Sequence, residues 1–171
     1  ITPHLVVGDM DSLERTVIHE SVQWEKFPQE KDYSDFEIAL RRSRGMNPEV
    51  IMVYGAVGGG RKDHEITNIV LLAYADLPVQ FIEEDVEVYN VPGRLEVAGR
   101  KGCTCSLVSF GTGSYIVDMS GFRYTMKEQV LKPSSRGLSN VITEDPAVIL
   151  PGRGDLVMII NKEKVVNPHQ I

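Results

Sequence analysis

Val50-Ile51-Met52-Val53-Tyr54-Gly55-Ala56-Val57-Gly58-Gly59-Gly60-Arg61-Lys62-Asp63-His64 is the stretch on which the fold turns. Its first five residues form a near-continuous β-rich run, the pattern of a strand buried on both faces of a parallel sheet. A glycine-rich connection follows, then helical spacing from about Asp63 to Ala75, then a strand-like run from Val79 to Ile82. Upstream, His4 to Val7 reads as a strand ending at Gly8, and Gln23 to Phe27 as a weaker one. Ser34 is a natural N-cap for a helix beginning at Asp35, with Arg41, Arg42 and Arg44 in its last turn and Gly45 stopping it. Strand, helix, strand, helix, strand predicts an open, mostly parallel α/β sheet.

Downstream of Glu83 the pattern changes. Glu87–Val91, Arg94–Val97, Cys103–Phe110, Ser114–Met119, Ala147–Leu150 and Leu156–Ile160 are short runs separated by Gly, Pro, Ser and Asn. Such a succession predicts an antiparallel β-sandwich. The expected organisation is α/β followed by all-β, with residues 1–84 as one domain and 85–171 as the other.

Eighteen basic against 24 acidic side chains give a formal charge of −6. With no basic cluster, this argues against nucleic acid or an anionic membrane as the main partner. No apolar run reaches the roughly 18 residues of a membrane span. Cys103 and Cys105, two apart on a strand, read as small strand residues, and the absence of a disulfide framework favours a reducing, cytoplasmic setting. The chain begins at Ile1 and enters a strand-like run almost at once, which reads as a chain whose beginning is missing.

The chemistry-bearing residues cluster at loop positions of the first half. Asp9 and Asp11 follow the first strand, Asp35 opens the first helix, and Asp63 follows the glycine-rich turn. In an open α/β sheet ligands bind beyond the carboxyl ends of the strands. Each aspartate taken singly reads better as a turn or cap residue, and only their convergence raises the Mg²⁺ reading to an equal footing. Gly58-Gly59-Gly60-Arg61-Lys62 lets backbone N–H groups approach a phosphate, but the Lys-Ser/Thr pair of a P-loop is missing, and a plain flexible connection is the competing reading. Zinc is disfavoured because the position four after His64 is Asn68, and no Gly-x-Ser-x-Gly elbow exists.

Taken in order, Gly8-Asp9-Met10-Asp11-Ser12, Lys31-Asp32-Tyr33-Ser34-Asp35, Gly58-Gly59-Gly60-Arg61-Lys62-Asp63-His64 with Asn68, and Ser135-Arg136-Gly137-Leu138-Ser139-Asn140 resemble thiamine pyrophosphokinase over essentially the whole chain. The resemblance implies Mg²⁺-dependent transfer of pyrophosphate from ATP to the thiamine hydroxyl, giving thiamine diphosphate and AMP. It implies a homodimer with thiamine held between subunits. By motif position, Asp9, Asp11 and Asp35 would hold Mg²⁺, and Asp63 would support the metal or the hydroxyl. Lys31, Ser34 and Arg61 would contact ATP phosphates, and Ser139 and Asn140 would bind thiamine. Met10, Ser34 and Val141 depart from the family's usual residues, and an earlier segment with an Asp-Gly-Gly turn is absent. The competing functions are a pyrophosphokinase for another acceptor, such as a pterin, and a non-catalytic nucleotide- or thiamine-binding protein.

Overall fold

The computed structural model describes residues 2–9, 21–28 and 30–164. It divides into two compact units, Ile1–Pro48 and Glu49–Ile171. In the first unit, β1 (Leu5–Gly8) and β2 (Gln23–Lys26) run parallel, with Gly8 opposite Lys26. Helix α1 (Asp35–Arg44) begins as its sequence demands: Ser34 Oγ accepts the Glu37 N–H at 3.1 Å, satisfying one of the donors a helix start leaves unpaired. Along the helix Arg41 pairs with Glu37 at 2.8 Å and lies 4.1 Å over the Tyr33 ring. Arg42 reaches Glu25 at 3.1 Å, tying the helix to β2.

The second unit begins with β3 (Ile51–Val53), α2 (Lys62–Ala73) and β4 (Val79–Ile82). The strands β5 (Val86–Asn90), β6 (Leu95–Val97), β7 (Cys103–Ser109), β8 (Ser114–Ser120), β9 (Lys127–Leu131), β10 (Asn140–Val141), β11 (Ala147–Pro151) and β12 (Leu156–Lys164) follow. They form a six-stranded sheet in the order β10-β7-β12-β5-β4-β3 and a four-stranded one in the order β6-β11-β8-β9. Alternate residues of β7 (Cys103, Cys105 and Leu107) join Ile116, Met119, Ile149, Met158 and Ile160 in one apolar cluster drawn from both sheets. Each such fully buried side chain stabilises by about 1.5–3 kcal/mol. Both cysteines are free and buried, as expected of strand residues, and burial pushes the Cys105 thiol up to about 12. At the sheet's helical end the buried Asn90 amide accepts from Val79 N–H at 2.7 Å and donates to the Ala75 and Leu77 carbonyls, closing the turn from α2 into β4.

The expected fold class, an open mostly parallel α/β sheet domain followed by a separate antiparallel domain, is not what forms. The chain is mostly β, with two α-helices among the described residues. In the six-stranded sheet β3 and β4 are parallel, and every other pairing is antiparallel. The cause lies in the connections. The α2 crossover brings β4 back parallel to β3, but only Glu83-Glu84-Asp85 separate β4 from β5. Parallel neighbours need a crossover of a dozen or more residues. A three-residue link therefore forces β5 to return antiparallel, and the sheet continues through it into β12, β7 and β10. The β3 run is not buried on both faces either: Ile51 is buried, while Met52 and Tyr54 are exposed.

Among the described residues one charged group is deeply buried. Glu87 on β5 is 2 % exposed. Its carboxylate accepts from Arg100 Nε at 2.9 Å and from Arg100 Nη2, and from the Tyr89 hydroxyl at 2.7 Å; Lys162 Nζ stands 3.5 Å away. The Arg100 guanidinium holds the Glu87 carboxyl down at about 2. No helix among the described residues is long and apolar enough to cross a membrane.

Candidate functional site

Two of the predicted aspartates meet in the first unit. Asp9 leaves the end of β1 and Asp35 opens α1, and Lys31 lies between them. Its Nζ is 2.6 Å from Asp35 Oδ1 and 3.9 Å from Asp9 Oδ2, with the lysine side chain only 14 % exposed. Gly8 makes the approach possible. It adopts φ +153°, and a Cβ there would stand 3.0 Å from Asp35 Oδ2. Ser34, expected to touch phosphate, uses its oxygen to cap α1 and keeps its hydroxyl hydrogen for another acceptor. Asp11 lies outside the described residues. Among the described residues no group of three or more His, Cys, Asp or Glu side chains is arranged to hold a metal.

The glycine-rich loop and α2 belong to the second unit. Gly55 and Gly58 have positive φ, +76° and +88°, which explains glycine at those two positions. Gly59 and Gly60 do not, and a Cβ at either would meet nothing within 4 Å. Neither backbone strain nor crowding among the described residues requires glycine at these two positions, and their backbone is open to an approaching group. At the loop's end Arg61 forks onto Asp63, Nε to Oδ1 at 2.9 Å and Nη2 to Oδ2 at 2.6 Å. The guanidinium holds the Asp63 carboxyl well below the usual carboxylate range. A planar fork that fits a carboxylate fits a phosphate equally well.

A hollow of about 250 Å³ opens in the β-rich half, lined by Leu107, Tyr124, Thr125, Met126, Arg136, Gly137, Leu138 and Asn140. Asn140 is buried and engaged. Its Oδ1 accepts from Tyr124 N–H at 3.0 Å and Val141 N–H at 2.8 Å, and its Nδ2 donates to the Tyr124 carbonyl at 2.6 Å. The amide thus fixes the Tyr124 backbone beside the hollow, with the residue itself 61 % exposed. Ser139 stands next to it in the left-handed region, φ +58°, its N–H donating to Ser106 Oγ. Arg136 is steadied by Gln129 at 2.8 Å. Tyr124 and Arg136 were not singled out by sequence as site residues. They come from separate turns, held at the hollow by the Asn140 bonds to Tyr124 and the Gln129 bond to Arg136.

Gly137 is required by close approach. A Cβ there would fall 2.0 Å from the Leu107 carbonyl oxygen. Gly137→Ala is expected to cost about 3 kcal/mol, the upper end of overpacking penalties. That corresponds to a drop in melting temperature of roughly 6–12 °C. A thermal melt within 2 °C of the wild type would contradict the packing described.

Comparison with known proteins meets this geometry at both ends. The family model described as "Thiamin pyrophosphokinase, catalytic domain" matches residues 1–81, and "Thiamin pyrophosphokinase, vitamin B1 binding domain" matches residues 91–150. The chain is 27% identical over 184 residues to thiamine pyrophosphokinase 2 of Arabidopsis thaliana, covering 98% of this chain and 68% of that protein. Against the thiamine pyrophosphokinase of Bacillus subtilis it is 25% identical, covering 93% of this chain and 78% of that protein. The crystal structure of the thiamine pyrophosphokinase of Bacillus subtilis superposes with a TM-score of 0.81 at 22% identity, covering 95% of this chain and 80% of that one. That of Geobacillus thermodenitrificans gives 0.78 at 26%, covering 94% and 78%. A catalytic half and a vitamin-binding half in this order define a pyrophosphokinase. The chain belongs to the thiamine pyrophosphokinase family, and it is an enzyme with that family's activity.

Proposed function

We propose that this chain transfers the pyrophosphoryl group of ATP to the hydroxyl of thiamine, giving thiamine diphosphate and AMP, with the nucleotide handled by residues 1–84 and thiamine by residues 85–171. The observation that carries the nucleotide half is the pair Gly59 and Gly60, whose lack of side chains nothing inside the protein requires. Loop N–H groups and the α2 N-terminus there receive phosphate oxygens, and Arg61 moves its fork from Asp63 to phosphate. Asp63 is left as an ionised acceptor that would support the substrate hydroxyl or the metal site. Lys31 and Ser34 add a cation and a hydroxyl donor on the first unit.

Mg²⁺ fits the donor set. Asp9 and Asp35 offer hard carboxylate oxygens that already share one cation, Lys31, and Mg²⁺ characteristically takes one or two carboxylates with phosphates and water completing its shell. In this assignment Asp9, Asp11 and Asp35 hold it, and when bound it offsets the charge of the triphosphate. The protein's own part is placement and charge, since pyrophosphoryl transfer asks for little covalent help from side chains.

Thiamine occupies the hollow beneath Tyr124. The exposed phenol ring presents a π-face to a flat, cationic heterocycle, and the Asn140 amide with its neighbour Ser139 fixes the wall against which the ring rests. A cytoplasmic homodimer, with thiamine between subunits, completes the assignment. Tyr124→Ala is expected to weaken thiamine binding about tenfold or more, the usual worth of one stacked aromatic face, without changing ATP binding. Calorimetric titration with each substrate checks this; unchanged thiamine affinity would place the vitamin elsewhere.

A further inference from the structure

Within the glycine-rich loop, one point is tightly held. Ala56 is 6 % exposed, whereas the glycines at 55, 58, 59 and 60 are exposed. Its N–H donates to Glu83 Oε1 at 2.7 Å, and the next N–H, of Val57, donates to the same oxygen at 3.3 Å. On its other side the Ala56 carbonyl accepts from Asn68 Nδ2 at 2.9 Å. Glu83 immediately follows β4, and Asn68 lies in α2, so the loop is clamped between the strand and the helix that flank it. Glu83 is itself fixed: its N–H donates to the Val86 carbonyl at 3.0 Å, and its carbonyl accepts from Lys162 Nζ.

We propose that Glu83 and Asn68 are positioning residues that hold the loop at Ala56 and thereby set the Gly58–Gly60 N–H groups and Arg61 where the ATP phosphates arrive. This deepens the proposed function and rests on its assignment of the loop to ATP. The carboxylate is the stronger clamp, because a charge-assisted bond exceeds a neutral one about twofold in strength and Glu83 receives two N–H groups. Glutamine at position 83 presents a carbonyl oxygen to the same donors, whereas alanine presents nothing.

The test uses the full chain with Glu83→Ala, Glu83→Gln, Asn68→Ala and Arg61→Ala, measuring kcat, KM for ATP, KM for thiamine and melting temperature. Glu83→Ala is expected to raise the ATP KM about tenfold or more, the effect of losing a hydrogen bond to a charged group. Its thiamine KM stays within about twofold, and Glu83→Gln recovers most of the loss. Asn68→Ala gives a smaller rise in the same constant. If Arg61→Ala raises the ATP KM and Glu83→Ala does not, the clamp is overturned while the loop's assignment survives. If neither changes it, the loop is not the ATP site and the proposal falls with that assignment. A lower ATP KM in Glu83→Ala overturns the proposal too, because the carboxylate would then be competing with phosphate for the same N–H groups. Equal rises in both KM values with a lowered melting temperature reduce Glu83 to a structural part and also overturn it.

Discussion

Asp35→Asn is expected to reduce thiamine-dependent AMP formation about 100-fold or more while leaving the fold intact. The magnitude is that of removing one preorganised charge from a site that stabilises developing charge. Asp35 occupies the first position of α1, 2.6 Å from Lys31 and within a Cβ's reach of Gly8. Asparagine keeps the size but leaves Lys31 with one carboxylate in place of two, and it puts a neutral amide oxygen in the metal's set where a charged carboxylate stood. The structural cost is small. The Asp35 side chain is 48 % exposed, and ion pairs of that kind contribute about 0–1 kcal/mol. Loss of activity without loss of stability is therefore the signature to look for, by product assay beside a thermal melt. Activity within threefold of the wild type would remove Asp35 from the site.

Glu87→Ala carries the largest expected effect on stability. The variant takes the counter-charge from Arg100 and Lys162, whose side chains are 33% and 27% exposed, a change that costs about 3–4 kcal/mol, toward the low end for breaking a buried pair. The same group makes the wild type acid-sensitive. Its carboxyl is at about 2 in the folded chain against an ordinary value of 4.5. The unfolded chain therefore binds the proton more readily, so this stabilisation is complete above about pH 4.5 and is lost as the pH falls toward about 2. Denaturant unfolding between pH 7 and pH 3 is expected to show that acid limb in the wild type and a shallower one in Glu87→Ala. Equal stability of the two proteins at pH 7 would contradict the buried pairing.

Local signals in the sequence transferred well where a single element decides them. Ser34, the acids of the first turn and the terminal arginines specify α1, and the observed helix runs from Asp35 to Arg44 with Ser34 as its cap. Alternation in Cys103–Phe110 and Ser114–Met119 likewise specifies β7 and β8. Strand direction departs from the helix–strand alternation where the connection shortens; the three residues after Ile82 are enough to dictate the reversal. A continuous apolar run such as that of β3 does not distinguish a strand covered on both faces from one whose Met52 and Tyr54 stay exposed. The polar, largely exposed Lys127–Leu131 gives no alternation at all, so β9 was invisible.

The candidate site divides along the same line. Asp9 at a strand end and Asp35 at a helix start are legible from local pattern, Lys31 only from the family resemblance, and the structure puts Lys31 within reach of both carboxylates. Asp63 is where its motif puts it, but its fork with Arg61 is a side-chain geometry no spacing encodes. Tyr124, Arg136 and Glu83 depend on contacts between distant segments, and Asn140 acts through a backbone 16 residues away. Asp11 lies outside the described residues.

The most direct measurement is AMP release from ATP and Mg²⁺ by this chain, with and without thiamine, products identified by phosphorus NMR. AMP is expected in equal amount to thiamine diphosphate, only when thiamine is present, and not with a hydroxymethylpterin in its place. ADP as the product, AMP formed without thiamine, or AMP formed with the pterin alone would contradict that expectation.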